Sequence, residues 1–160
     1  MSIFNEAHRA FLAAVIKNKV EFVLVGGYAV ILHGGNRTTS DIDLLIRPSK
    51  ENGQKLLDTF MELGLETEDI SPSDFEEELY LSFGFEPEAV DVMTFTKGIT
   101  FEEAYLNSKE LKVDGYLLKL IDIRDLIRNK ENLGRQGSKA ILDQYDVAEL
   151  TRIMNEKSTS

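Results

Sequence analysis

The spacing of apolar and polar residues in the first part of the chain predicts alternating helices and strands. Across residues 5–17 the apolar positions recur at helical intervals, which predicts an amphipathic helix. The continuous apolar run at residues 22–25 is typical of a short buried strand. The glycine pair at residues 26–27 ends that strand, and a short helix is expected over residues 28–33.

The middle of the chain carries the remaining signals for the centre of a sheet. Residues 39–46 alternate before turning apolar, which predicts a second strand. Ser49 is the expected N-cap of a helix that runs to Leu63. Residues 79–85 and 89–95 predict two further strands.

The last third of the chain is predicted to be mostly helical. A short helix is expected over residues 101–107, and the pair at 114–115, Asp-Gly between apolar flanks, is a strong signal for a tight hairpin. Two helices should follow, over residues 123 to about 132 and 138 to about 155. The tail from Lys157 onward is predicted to be disordered.

This order of elements predicts an α/β (α+β) fold, in which helices flank a mixed β-sheet and the C-terminal part is helical. A length of 160 residues fits a single domain that buries a substantial core. We expect the core of that domain at about residues 20–120 and its helical part at about residues 121–156.

Composition narrows the classes of protein to which the chain can belong. Cysteine is absent, which excludes disulfides, thiolate metal sites and cysteine nucleophiles. No apolar run approaches the ~20 residues that a membrane-spanning helix needs, so no membrane partner is expected. The first residues lack a basic segment followed by an apolar one, so no secretory signal is predicted and a cytoplasmic location is expected.

The charge balance limits the nucleic acids that the chain can bind. Eighteen basic residues against 28 acidic residues leave a net charge of −10. Extended duplex DNA is held by basic surface, which this chain lacks overall. An acidic protein that handles nucleotides needs metal ions or a few well-placed cations to do so.

Three aspartates on predicted strands carry the clearest chemical signal. Asp41 and Asp43 are two residues apart on one strand, so both carboxylates leave the same face. Adjacent carboxylates repel each other unless a cation lies between them, and Mg²⁺ prefers such oxygen ligands. Asp91, on another apolar strand, is a candidate third ligand for a two-metal site of the kind used in phosphoryl displacement.

Each of these residues also has an ordinary structural explanation. A glycine pair after a strand is commonly a turn, and an Asp-x-Asp pair is commonly a solvated strand edge. Arg37 either pairs with one of the many acidic residues or contacts a phosphate. His8, on the first helix, is predicted to be solvated. A purely structural role for the aspartates requires Asp91 to lie more than about 8 Å from the other two.

Taken together, a glycine pair, a short helix, Arg-x-Thr-x-Asp-x-Asp and a later aspartate on a strand resemble the DNA polymerase β-type nucleotidyltransferase superfamily. The stretch is most similar to a small bacterial branch that includes AbiEii-like proteins and minimal, antibiotic-type nucleotidyltransferases. The similarity covers about residues 20–150. The residues that carry it are Gly26, Gly27, Arg37, Thr39, Asp41, Asp43 and Asp91.

The resemblance implies a nucleotidyltransferase fold and a role for each of these residues. Asp41 and Asp43 would bind the Mg²⁺ or Mn²⁺ that carries the triphosphate, and Asp91 would help hold a second metal ion and accept a proton from an attacking hydroxyl. Nucleotide contacts are implied for Gly26, Gly27, Arg37, Thr39 and Lys130, with Lys139 as an alternative to Lys130. The superfamily often has Gly-Ser in place of the glycine pair, which removes a hydroxyl contact to phosphate here.

The implied reaction transfers a nucleoside monophosphate from a nucleoside triphosphate such as ATP to a hydroxyl and releases pyrophosphate. The acceptor can be a small molecule, a protein or an RNA end. The alternative is a non-catalytic relative that binds nucleotide or a partner protein, such as one component of a toxin–antitoxin pair. The sequence leaves both functions open.

Overall fold

The computed structural model describes residues 3–159. Its strands are β1 (Phe22–Val25), β2 (Asp41–Ile46), β3 (Tyr80–Phe83), β4 (Ala89–Met93), β5 (Lys109–Val113) and β6 (Tyr116–Leu120). They form one six-stranded sheet in the order β3-β4-β2-β1-β6-β5. The sheet is mixed, because β2 is parallel to β4 and antiparallel to β1.

Helices connect and follow these strands. They are α1 (Glu6–Lys17), α2 (Gly26–Leu32), α3 (Lys50–Glu62), α4 (Phe101–Asn107), α5 (Ile123–Asn132) and α6 (Ser138–Thr159), with a 3₁₀ turn at Pro72–Glu76. The predicted cap of α3 is confirmed, since the Ser49 hydroxyl accepts a hydrogen bond of 3.1 Å from the Asn52 backbone. The mixed sheet with its helices confirms the predicted α/β fold class.

The centre of the sheet is built by short apolar strands that leave two carboxylates on one face. Ile42 and Leu44 of β2 are fully buried. Because side chains alternate along a strand, Asp41 and Asp43 leave the opposite face of β2. Burial of each large apolar side chain contributes about 1.5–3 kcal/mol relative to exposure, which fixes the face that β2 turns toward the core.

Aromatic side chains join the first helix to the third beneath the sheet. Phe11 of α1 and Phe60 of α3 are buried, and their ring centroids lie 6.4 Å apart in a stacked arrangement. Phe60 also packs against Phe83 of β3, with ring centroids 4.6 Å apart. These contacts hold β3, at one edge of the sheet, to the helices of the core.

Several predicted boundaries differ from the structure by a few residues, and two of these differences bear on the site and on the end of the chain. Helix α2 begins at Gly26 itself, because the glycine pair forms its first turn rather than a separate turn. The disordered tail predicted from Lys157 is wrong, since α6 continues to Thr159. Residues 1–2 and 160 lie outside the described range. The first two residues of the segment that was predicted to lack a secretory signal, and the last residue of the predicted tail, are therefore not described.

Among residues 3–159, no helix is both long and apolar enough to cross a membrane.

Candidate active site

The three predicted aspartates converge in the structure. Strand register places Asp43 of β2 directly opposite Asp91 of β4. Each of Asp41, Asp43 and Asp91 offers a carboxylate oxygen, and these oxygens all lie within 4.8 Å of one another. Asp91 is therefore not separated from Asp41 and Asp43 by the distance of about 8 Å that a purely structural role requires.

Mutual repulsion makes this cluster unfavourable without a cation. Burial raises the pKa of Asp43 well above its ordinary value, and the charges of Asp41 and Asp91 raise it further. Burial also raises the pKa of Asp41, as do hydrogen bonding to Asp91 and the charge of Asp91. This group of three carboxylates, two of which resist ionisation, fits a hard divalent cation, which supplies the missing positive charge.

The glycine pair brings backbone close to the carboxylates. Val25 pairs with Asp43 across β1 and β2, so Gly26, the next residue, lies beside the Asp43 side chain. A Cβ atom at Gly26 would collide with the Asp43 carboxylate, and its φ of +72° also favours glycine. A Cβ atom at Gly27 would lie 2.6 Å from the Thr39 hydroxyl oxygen. Both glycines are needed for this close packing.

Thr39 contacts the cluster directly. Its hydroxyl donates hydrogen bonds of 3.2 Å to the Asp41 carboxylate and to the Asp41 carbonyl oxygen. A hydrogen bond to the charged carboxylate lowers the pKa of Asp41, opposing the burial that raises it. In the structure Thr39 therefore orients a carboxylate; its predicted contact with nucleotide stays a prediction.

Arg37 and Lys130 both reach the cleft and share one counter-charge. The Arg37 Nη1 atom lies 2.7 Å from Asp146 Oδ2, and the Lys130 Nζ atom lies 3.0 Å from the same oxygen. Asp146 is completely buried, and its Oδ1 atom has no hydrogen-bond partner among residues 3–159. Of the two explanations for Arg37, pairing with an acidic residue is confirmed.

A second carboxylate of α6 extends this group of charges. Asp143 lies one helical turn before Asp146 and accepts a hydrogen bond of 2.7 Å from Arg135 Nε. Its Oδ1 atom is 3.7 Å from Lys130 Nζ. Two carboxylates of α6 thus hold three cations, Arg37, Lys130 and Arg135, that line the same cleft as the aspartates.

Two residues of β3 that sequence reasoning missed also contact or face the cluster. The Ser82 hydroxyl donates a 2.6 Å hydrogen bond to Asp91 Oδ1. Tyr80, two residues earlier, lines the cleft and is 59% exposed. Partial burial is the largest cause that raises the pKa of the Tyr80 hydroxyl, followed by the charge of Asp91 and hydrogen bonding to it. The sequence indicated only that Tyr80 and Ser82 lie on a predicted strand, residues 79–85.

The aspartates open into a cleft of about 840 Å³. Its cationic lining residues include Lys97 and Lys139 in addition to the three that α6 holds. Its apolar lining includes Met93, Phe95 and Leu142. The cleft thus combines a carboxylate cluster, basic side chains and apolar surface, and a mixture of apolar lining with a few placed polar groups is typical of small-molecule sites.

Solved structures with the same fold include antibiotic-modifying enzymes. The lincosamide antibiotic adenylyltransferase LnuA, bound to lincomycin, is 14% identical with a TM-score of 0.56, over 96% of this chain and 99% of that chain. The antibiotic-resistance factor ANT(2'')-Ia is 14% identical with a TM-score of 0.54, over 96% and 90%. A nucleotidyltransferase-like protein from Paracoccidioides brasiliensis is 18% identical with a TM-score of 0.52, over 90% and 74%.

The likeness to these structures shows a shared fold, and the family model that matches this chain confirms the predicted resemblance at the level of nucleotidyltransferases. No curated protein matches this chain in sequence. A family model matches residues 5–159, nearly the whole chain. The chain therefore belongs to the family described as nucleotidyl transferase of unknown function (DUF2204).

Proposed function

We propose that this protein is a metal-dependent nucleotidyltransferase that transfers a nucleoside monophosphate from a nucleoside triphosphate to a hydroxyl group and releases pyrophosphate. The observation that carries the proposal is the convergence of Asp41, Asp43 and Asp91, whose oxygens lie within 4.8 Å of one another in a cleft. Membership of the nucleotidyl transferase family supports the same reaction class. In this proposal, residues 1–160 act as a single domain.

The donor set fits Mg²⁺ or Mn²⁺. Asp41, Asp43 and Asp91 would hold the metal ions, since each offers a carboxylate oxygen to a common volume. Bound ions of this kind neutralise phosphate charge and stabilise the attacking and leaving oxygens of an in-line displacement. The metals and the nucleotide also explain why the fold tolerates three repelling carboxylates in its centre.

The remaining residues of the cleft would act on the nucleotide and on the attacking hydroxyl. Asp91, which is 6% exposed and oriented by the Ser82 hydroxyl, would accept the proton of that hydroxyl. Arg37 and Lys130 would contribute positive charge beside the triphosphate, and Asp146 would hold them in place. The backbone at Gly26 approaches the carboxylates closely enough to lie near the phosphates.

A small molecule is the acceptor class that we favour. The cleft volume of about 840 Å³ lies within the range of small-ligand sites. Two proteins of the same fold are solved with such molecules, LnuA with lincomycin and ANT(2'')-Ia with adenylyl-2''-tobramycin. A protein side chain or an RNA end remains the other acceptor class, whereas extended duplex DNA does not suit a net charge of −10.

The test is pyrophosphate release from each of the four common nucleoside triphosphates with MgCl₂, across a panel of hydroxyl-bearing small molecules, peptides and RNA ends. We expect release with at least one acceptor, and its loss in an Asp41→Ala, Asp43→Ala double variant. Asp58→Ala, at an exposed position of α3, is the matched control and should behave as the wild type. Magnesium–nucleotide binding that persists unchanged in the double variant would contradict the site assignment.

Partner binding without catalysis is the second candidate function, as in an AbiEii-like component of a toxin–antitoxin pair. The observation in its favour is an apolar groove of about 520 Å³ beside the β3–β4 turn. Phe85 at that turn is 89% exposed, and Glu86 and Glu88 border the groove, so a basic amphipathic partner segment would fit. Nucleotide turnover by the purified, monomeric protein would count against this function.

A further inference from the structure

Tyr80 lies on the edge strand of the sheet, on the face that carries the catalytic candidates. In the β3–β4 register Ser82 is opposite Asp91 and Tyr80 is opposite Met93. Residues two apart on a strand share a face, so Tyr80 is a diagonal neighbour of Asp91. Diagonal neighbours are separated by about 7–8 Å, within the reach of an aromatic side chain.

The Tyr80 hydroxyl has the surroundings that a hydroxyl needs in order to attack a bound nucleotide. Tyr80 lines the same cleft as Asp41, Asp43 and Asp91, and the charges of all three act on its hydroxyl. Ser82, two residues along the same strand, donates a 2.6 Å hydrogen bond to Asp91, so the proposed proton acceptor lies against this face of β3. With 59% of its surface exposed, the ring is not fixed in the core and has room to move toward a bound nucleotide.

We propose that Tyr80 is an acceptor of the nucleotidyl group within its own chain, so that the protein modifies itself when it binds a nucleoside triphosphate in the absence of another acceptor. This inference rests on the proposed function. The phenolic oxygen of Tyr80 forms a bond to the α-phosphorus of the triphosphate. The bond from that phosphorus to the oxygen bridging to the β-phosphate breaks, and pyrophosphate leaves with the electron pair. The phenolic proton passes to the Asp91 carboxylate.

Two other tyrosines differ from Tyr80, because their hydroxyls contact residues outside the cleft. Tyr28 is 3% exposed, and its hydroxyl is 2.7 Å from the His8 ring. Tyr145 is 45% exposed, but its hydroxyl donates to the Asn36 carbonyl oxygen and its side chain is not among the residues that line the cleft. Tyr145→Phe is therefore a matched control for Tyr80→Phe.

The experiment incubates the full chain with ATP, GTP, CTP or UTP labelled in the α-phosphate, with MgCl₂ and no added acceptor. We expect label that survives denaturation in the wild type and in Tyr145→Phe, and none in Tyr80→Phe or with triphosphate labelled in the γ-phosphate. Mass spectrometry of peptides should place the added nucleoside monophosphate on Tyr80. Circular dichroism and thermal melting establish that Tyr80→Phe is folded. Labelling of Tyr80→Phe at the wild-type level would overturn the assignment.

A mixing experiment tests whether the modification occurs within one chain. The Asp41→Ala, Asp43→Ala variant keeps Tyr80 but lacks the carboxylates, whereas Tyr80→Phe keeps the carboxylates. When the two chains, distinguished by tags of different size, are mixed with labelled triphosphate, we expect neither to be labelled. Label on the chain that lacks the carboxylates would overturn the intramolecular proposal.

Nucleotide binding separates failure of this inference from failure of the proposed function. Calorimetric titration of the wild type with MgCl₂ and a non-hydrolysable ATP analogue measures binding without transfer. Binding that depends on Asp41 and Asp43, together with no self-labelling by any of the four triphosphates, would overturn the role of Tyr80 and leave the proposed function standing. No binding of any triphosphate would overturn the proposed function itself.

Discussion

Arg37 and Asp146 form a buried ion pair, with 2.7 Å between Nη1 and Oδ2, across 109 residues of sequence. The pair joins the segment before β2 to the last helix. Asp146 has no exposed surface, and the side chain of Arg37 is only 14% exposed. Because Lys130 Nζ is 3.0 Å from the same carboxylate, one residue of α6 positions two cations of the cleft.

We expect Asp146→Asn to destabilise the fold and to weaken binding of nucleoside triphosphates. The substitution keeps the shape of the side chain but leaves Arg37 and Lys130 without their shared counter-charge. Removal of one member of a buried ion pair typically costs about 3–5 kcal/mol. The free energy of unfolding, measured in urea, should fall by roughly that amount, and the Kd for a magnesium–ATP analogue should rise.

Glu149→Gln is the control for this variant. Glu149 lies on the same helix and pairs with Arg152 at 2.9 Å, but the side chain of Arg152 is 51% exposed. Solvent screens such a pair, so its loss should change stability little. The Glu149 side chain is itself 15% exposed, so equal destabilisation by the two substitutions would show that Asp146 contributes no more than a helix carboxylate paired with an exposed arginine.

The Arg37–Asp146 pair also marks the limit of what the sequence predicted about the site. The convergence of Asp41 and Asp43 was predictable because strand alternation is a local property of β2. The partner of Arg37 was not, because it depends on how α6 docks against a segment 109 residues earlier. With 28 acidic residues in the chain, no local pattern distinguishes Asp146 from the others.

We expect Asp43→Asn to stabilise the metal-free protein at neutral pH. Burial, with the charges of Asp41 and Asp91, raises the pKa of Asp43 above the ordinary value of 3.8. Above pH 3.8 the unfolded chain releases this proton more readily than the folded chain, so stability falls as pH rises through that window. The asparagine variant loses this dependence, and its melting temperature in EDTA should exceed that of the wild type.

With added MgCl₂, the wild type should instead have a higher melting temperature than Asp43→Asn. The wild type gains stability when a cation binds the carboxylates, whereas Asp43→Asn has lost one of the ligands. Melting temperatures with and without MgCl₂ measure the difference, and Asp58→Asn serves as the surface control. If neither MnCl₂ nor MgCl₂ changes the melting temperature of the wild type, that result would count against a metal site at the three aspartates.

We expect Gly26→Ala to be more destabilising than Gly115→Ala, although both glycines have positive φ, +72° and +86°. The left-handed conformation costs an L-residue about 1–2 kcal/mol at either position. At Gly115 nothing lies within 4 Å of the added Cβ atom, whereas at Gly26 it collides with the Asp43 carboxylate. Urea denaturation should show the larger loss for Gly26→Ala, and nucleotide binding should fall only in that variant. Equal losses would mean that Asp43 moves aside freely.

Tertiary contacts also explain the other residues that sequence reasoning misplaced. The strand that contains Tyr80 and Ser82 was predicted, but its pairing with β4 decides which of its side chains face Asp91. The prediction of a solvated His8 is wrong. His8 is completely buried, with its ring nitrogens 2.7 Å from the Tyr28 hydroxyl and 2.9 Å from the Ala89 carbonyl oxygen. Helical spacing alone did not reveal that α1 packs this polar ring inward.

We expect this buried histidine to make the fold sensitive to mild acid. Burial lowers the pKa of His8 below the ordinary value of 6.5, although the hydrogen bond with Ala89 opposes the shift. Below pH 6.5 the unfolded chain takes up this proton more readily than the folded chain, so stability is lost as pH falls. Burial shifts His33 in the same direction, so both residues contribute to the slope. Because Asp41 and Asp43 contribute with the opposite sign, the measurement is a comparison: from about pH 7.5 down to about pH 5, the urea midpoint should shift less favourably in the wild type than in variants that lack a buried histidine.

His8→Gln separates the two histidines. Glutamine keeps a polar group in the core but takes up no proton in this range, so the variant should be less stable at neutral pH and should lose less stability on acidification. His33→Gln tests the second histidine in the same way; its ring nitrogen is 2.7 Å from the Ile121 carbonyl oxygen. If the midpoint of His8→Gln changes with pH in parallel with that of the wild type, the acid sensitivity does not come from His8, and His33 would have to account for it.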